Sequence, residues 1–203
     1  MVDTGIDLIR YKMTALGGQV GTGKTYIMGL FVDELIDIGK SVCYMSVGNI
    51  GYHKFDSTHP NVSTFVYSTA YDIIEFYERL NETNEEIYVL IDGIGAIDLR
   101  QQYDTESTYE MKISHFLRKL KGFENIKTVF NFTYNGQNAI LYRNYHLHYA
   151  DLFVGVKRVR NEVNGCEYKY DIYLNDKFLC RMSDLISDPK LRRRERKISK
   201  LVD

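Results

Sequence analysis

Apolar positions along this chain fall into two rhythms, one of period near 3.6 and one of short continuous runs, and they alternate. From Thr25 onward Ile27, Met28, Leu30, Phe31, Leu35 and Ile36 recur at helical spacing, and Gly39 stops the pattern after Ile38. Ser41–Val47 is a β-rich apolar run and predicts a buried parallel strand. Val62–Val66 predicts a further short strand. Ile73, Ile74, Phe76, Tyr77 and Leu80 give Tyr71–Leu80 a broad apolar helical face. A polar, solvated turn over Asn81–Glu86 leads into Ile87–Asp92, an apolar run closed by a carboxylate. Met111, Ile113, Phe116, Leu117 and Leu120 share one side of a helix predicted over Glu106–Leu120, which Gly122 ends. Lys12–Leu16, Ile126–Phe132 and Leu152–Val156 are the remaining buried strands. Two β-rich runs flank Asn164-Gly165, the strongest two-residue hairpin signal, and predict an antiparallel pair within Val159–Asn175.

Strands alternating with helices predict an α/β fold: a mainly parallel sheet with right-handed crossovers, flanked by helices, and closed by a C-terminal antiparallel hairpin. The 203 residues suit one domain, 1–187, with a tail over 188–203. Between Lys190 and Lys200 that tail carries seven basic residues and one acid. Three readings of it stay open: contact with a phosphate backbone, contact with a neighbouring subunit's acidic face, or solvation with no partner.

Hydrophobic content of 44% and a formal net charge of −1 are those of an ordinary globular protein, and the charge neither favours nor excludes nucleic acid. No apolar run is long enough to span a bilayer, and no secretory signal pattern is present. Cys43, Cys166 and Cys180 have no metal-ligand spacing and read as reduced thiols, so a cytoplasmic location without membrane partners is expected. His53 and His59 lie in a loop where nothing completes a metal set; they read as exposed loop histidines.

The chemistry is concentrated in Gly18-Gln19-Val20-Gly21-Thr22-Gly23-Lys24-Thr25. A Gly, four residues, then Gly-Lys-Thr is the P-loop pattern. Its glycines let backbone N–H groups turn inward around a phosphate, Lys24 reaches the β- and γ-phosphates, and the Thr25 hydroxyl ligates Mg2+. The loop opens a helix whose positive end faces the anion, so the binding segment runs from Gly18 to Tyr26. Asp92 closes a buried strand at the sheet edge where ligands sit in open α/β folds, and is placed to hold the same Mg2+. Together these make nucleotide phosphates and Mg2+ the expected ligands.

With both elements placed, the chain resembles the RecA-like ATPases, in particular the KaiC/DnaB branch, from about Lys12 to Leu179. TALGGQVGTGKTYIMGLFVDELIDIGKSVCYMSV resembles that branch's first strand, P-loop, helix and second strand. YVLIDGIGAID resembles its Walker B strand, and YADLFVGVKRVRNEVNGCEYKYDIYLN its closing strands. The resemblance implies ATP hydrolysis, assembly into a hexameric ring or filament, and DNA bound by loops at the ring centre. It assigns catalytic roles to Lys24 and Asp92. By position it makes Gln137 or Thr133 a γ-phosphate sensor, and it makes an arginine among Arg158, Arg160 and Arg181 a charge stabiliser acting across the subunit interface. The connection over 133–148, with Tyr134, Tyr142, Arg143 and Tyr145, falls where a DNA loop would lie; a lid or packing loop is the equal alternative. The small size suits a phage- or virus-encoded member.

Two departures qualify the resemblance. The carboxylate the family carries after its second strand is missing: the chain reads Ser46-Val47-Gly48, and Asp98 and Glu106 are poorly placed to substitute. The late Lys-x-Arg element is reduced to Lys177 and, more distantly, Arg181. Hydrolysis that is slow, uses another residue or needs a partner is therefore open, as is a KaiC-like nucleotide-binding scaffold with weak hydrolysis. A packaging ATPase of the FtsK/HerA type is a third reading, opposed by Asp92-Gly93 where that type carries Asp-Glu.

Overall fold

A computed structural model describes residues 6, 8–47, 55–97, 109–133, 149–160, 168–174 and 177–181. Within them the strands are β1 (Met13–Gly18), β2 (Ser41–Val47), β3 (Val62–Tyr67), β4 (Ile87–Asp92), β5 (Ile126–Thr133), β6 (Leu152–Arg160), β7 (Tyr168–Leu174) and β8 (Lys177–Arg181). The helices are α1 (Lys24–Asp37), α2 (Ala70–Asn81) and α3 (Tyr109–Lys121), with two short 3-10 turns at Leu8–Arg10 and Ile94–Ala96. All eight strands form one sheet, ordered β3-β2-β4-β5-β1-β6-β7-β8. The six from β3 to β6 are parallel throughout. The fold is thus α/β with a parallel sheet flanked by helices. β7 and β8 add to it antiparallel; the Asn164-Gly165 turn lies outside the described residues.

Period-two alternation sorts the strands' side chains onto two faces. Ile87, Val89 and Ile91 of β4 point to the side packed by α2 and α3, where Ile73, Ile74, Tyr77, Ile113, Phe116, Leu117 and Leu120 are buried. Tyr88 and Leu90 point to the other side, packed by Ile27, Met28, Phe31, Val32 and Leu35 of α1. Strands buried on both faces need continuous apolar runs, which is why β4 reads as Ile87-Tyr88-Val89-Leu90-Ile91 before its carboxylate. β3 is the edge, and Val66 there is exposed.

Local signals set the helix ends. Thr69 caps α2: its Oγ1 accepts from the Asp72 N–H at 3.2 Å, and Asp72 Oδ2 accepts from the Thr69 N–H at 2.8 Å. This capping box starts the helix at Ala70, one residue earlier than the apolar pattern alone suggests. α1 closes in a Schellman motif, with the Gly39 N–H on Ile36 O and the Lys40 N–H on Leu35 O, both 3.0 Å.

β1 starts at Met13 and runs through Gly18, two residues beyond the strand the sequence predicts, because its ladders continue to Gly18↔Thr133 on one side and Gly18↔Val156 on the other. Close packing demands the two glycines there. A Cβ on Gly17 would stand 2.7 Å from the Phe153 ring and 2.8 Å from the Phe132 ring. One on Gly18 would meet Thr22 Oγ1 at 2.6 Å and Val156 O at 2.8 Å. Gly17→Ala is therefore expected to cost about 1–3 kcal/mol through overpacking of two aromatic rings, read as a lower urea midpoint with an unchanged m-value.

Candidate functional site

The site lies at the C-terminal edge of the parallel strands, on the face covered by α1. Gly18 delivers the chain out of β1, and the loop to Gly23 turns it into α1. Gly21 and Gly23 have φ of 73° and 79°, the left-handed region that glycine enters at no steric cost. Gly23 is the N-cap of α1, so the first turn's N–H groups and the helix's positive end face the loop. Thr22 is buried and its hydroxyl donates to Gln19 O at 2.9 Å, fixing the loop's curvature. Val20, at the tip, is exposed. Tyr26 is half-buried and packs against the core on the α1 side.

Lys24 opens α1 and is 8% exposed. Its ammonium donates to Gly18 O at 3.0 Å and to Gln19 O at 2.7 Å. Burial pushes its pKa from 10.5 down to about 8, against the opposing pull of the Asp92 charge. A buried cation held by two neutral carbonyls is poorly compensated, and an anion brought to the loop would compensate it.

Asp92 ends β4 two residues after Leu90 and so shares the α1 face. Its side chain gathers donors from three elements. Thr25 Oγ1 of α1 donates to Oδ1 at 3.1 Å, Tyr44 OH of β2 donates to Oδ2 at 2.7 Å, and the Asn131 side-chain amide of β5 also donates to Oδ1. Asn131 Oδ1 in turn accepts from the Gly93 N–H at 2.7 Å, and Tyr67 OH of β3 donates to the Asp92 carbonyl at 3.0 Å. Burial, the Asp92 charge and the bond to it push the Tyr44 phenol far above its ordinary 10, so it stays a neutral donor at working pH. The carboxylate is held in one orientation, facing the threonine that follows the P-loop lysine.

A hydroxyl and a carboxylate are hard oxygen donors and fit Mg2+. Among the described residues no group of three or more His, Cys, Asp and Glu could hold a metal. A Mg2+ ion carried in on nucleotide phosphates needs only one or two carboxylates and keeps waters for the rest of its octahedron.

The structure thus brings Gly18–Thr25 and Asp92 to one corner. Asn131, Tyr44 and Tyr67 belong to that corner and are absent from the sequence-predicted set. Asn131 leaves one trace, a polar residue on the buried face of Ile126–Phe132, where an apolar one is expected. Thr133 ends β5 opposite Gly18. Gln137 and the whole 134–148 segment, Gly48, His53, Asp98, Glu106 and residues 182–203, with the 188–203 tail, lie outside the described residues. Arg181 ends β8, a strand the sequence pattern does not predict, and pairs in register with Asp171. Its backbone is three strands from β1, roughly 14–15 Å at ordinary strand spacing. His59 Nδ1 accepts from the Asn61 N–H at 3.2 Å. No helix among the described residues is long and apolar enough to cross a membrane. Comparison with protein-family models finds no match, and comparison with curated proteins finds none either.

Proposed function

We propose that the protein binds ATP with Mg2+ and hydrolyses it as a RecA-like P-loop ATPase, in the service of DNA replication or recombination. The observation that carries this reading is the 3.1 Å contact between Thr25 and Asp92 beside the buried Lys24 ammonium. Those three residues come from the two motifs the sequence singles out, and they meet at one sheet edge. The choice of adenine, the DNA and the ring or filament rest on the resemblance.

In this reading the loop N–H groups and Lys24 bind the phosphates, while Thr25 and Asp92 hold Mg2+. The ion supplies charge neutralisation on the phosphate oxygens. Asn131 and Tyr44 keep Asp92 aimed at it. The β5 strand lies between β1 and β4, so Thr133 is next to the phosphate loop, where a γ-phosphate sensor acts. Arg181, three strands away, is too remote for its own loop and suits action on a neighbouring copy, as the interface arginine of such rings does.

A nucleotide-gated scaffold with weak hydrolysis is the second reading. It is favoured by Gly48, where the family carries its carboxylate.

ATP turnover without DNA, with single-stranded DNA and with double-stranded DNA separates these readings. Stimulation by DNA is expected for the first. Tight ATP binding with turnover indifferent to DNA would leave the scaffold.

A further inference from the structure

We infer that the Ser46 hydroxyl is a positioning group of the metal site, hydrogen-bonded to a water in the shell of the Mg2+ that Thr25 and Asp92 hold. The inference rests on the nucleotide reading above and assigns that site a residue no motif marks.

Four observations converge on it. Ser46 is 4% exposed, and its Oγ finds no hydrogen-bond partner among the described residues. It is paired in register with Asp92 across the β2–β4 ladder. It follows Val42 and Tyr44, which pack on the α1 side, so alternation puts its side chain on the same face as the Asp92 carboxylate. Its neighbour on that face, Tyr44, already donates to Asp92 Oδ2. The hydroxyl therefore stands one strand beyond the carboxylate, on the side away from the phosphate loop.

A buried hydroxyl left unpaired is a cost that alanine avoids, whereas a water with two to four polar partners repays it. Mg2+ retains several waters when bound through one carboxylate and phosphates. A water on the β2 side of the ion would have the ion, an Asp92 oxygen and Ser46 Oγ as partners. The hydroxyl can orient such a water but is too weak a base to take its proton. It thus does not replace the missing carboxylate.

The test titrates Mn2+ into the full-length protein with a non-hydrolysable ATP analogue, followed by electron paramagnetic resonance, alongside melting of the unliganded protein. Ser46→Ala is expected to weaken Mn2+ binding about 10-fold, to leave analogue binding in EDTA unchanged, and to leave the melting temperature equal or higher. Ser46→Thr, which returns a hydroxyl, should restore Mn2+ affinity. Unchanged Mn2+ affinity in Ser46→Ala overturns the inference, as does a marked loss of stability, which would make the hydroxyl structural. Failure of the threonine to restore binding overturns it as well, by pointing to volume. Failure of the nucleotide reading is told apart because it appears in the wild type, which would then bind neither analogue nor metal.

Discussion

Lys24→Ala is expected to lower ATP turnover by about 10²–10³-fold, the usual loss when one preorganised donor to a charged transition state is removed. The same substitution has a second signature that needs no nucleotide. Burial depresses the Lys24 pKa from 10.5 to about 8. Between those values the unfolded chain holds a proton on this lysine that the folded chain has shed. Stability therefore rises with pH across that window, and below about pH 8 the buried ammonium exerts its full penalty, at most about 3 kcal/mol. The difference in melting temperature, wild type minus Lys24→Ala, should increase from pH 8 toward pH 10. Saturating ATP and Mg2+ should remove that slope, because the phosphates hold Lys24 charged. A difference independent of pH would mean that the ammonium carries no burial penalty.

Asp92→Ala should produce the largest change in stability at the site. It leaves the Tyr44 hydroxyl and the Asn131 amide, both in fully buried residues, and the Thr25 hydroxyl without their shared acceptor. At about 1–3 kcal/mol for each buried donor left unpaired, a loss of ~3–5 kcal/mol is expected, or roughly 10 °C in melting temperature for a domain of this size. Metal-dependent nucleotide binding should disappear with it. Asp92→Asn separates the two effects, since it keeps one acceptor oxygen but not the charge. A smaller fall in stability with the same loss of metal dependence is expected. Metal-dependent binding that survives in Asp92→Ala would place the ion elsewhere.

The Gly18–Thr25 motif was legible because its residues are consecutive in the sequence and fold into one loop and the first turn of α1. Asp92 was legible for a related reason, since an apolar run closed by a carboxylate announces both the strand and the residue that ends it. Asn131, Tyr44 and Tyr67 were not, because their roles depend on sheet order. Alternation says which face Asn131 takes. Only the pairing of β4 with β5 and of β2 with β4 says that this face meets Asp92. The early start of α2 lay in the Thr69 cap, a signal present in the sequence but outweighed by the apolar spacing from Tyr71. Strand β8 went unpredicted because Lys177 and Arg181, at its two ends, drew attention as charges rather than as strand residues.

The place of β1 in the sheet also constrains how the protein is made. Met13 pairs with Thr128, and Thr14 with Leu152, so the strand that carries the phosphate loop has both neighbours more than a hundred residues downstream. On the ribosome this strand emerges before β5 and β6, its two partners among the described residues, and must wait until both have been synthesised. Long-range parallel pairing of this kind is slow and exposes unpaired edges while it is incomplete. The Gly18–Thr25 corner is therefore complete only once β5 and β6 have paired with β1, and, on the function proposed above, ATP binding would report on the finished sheet.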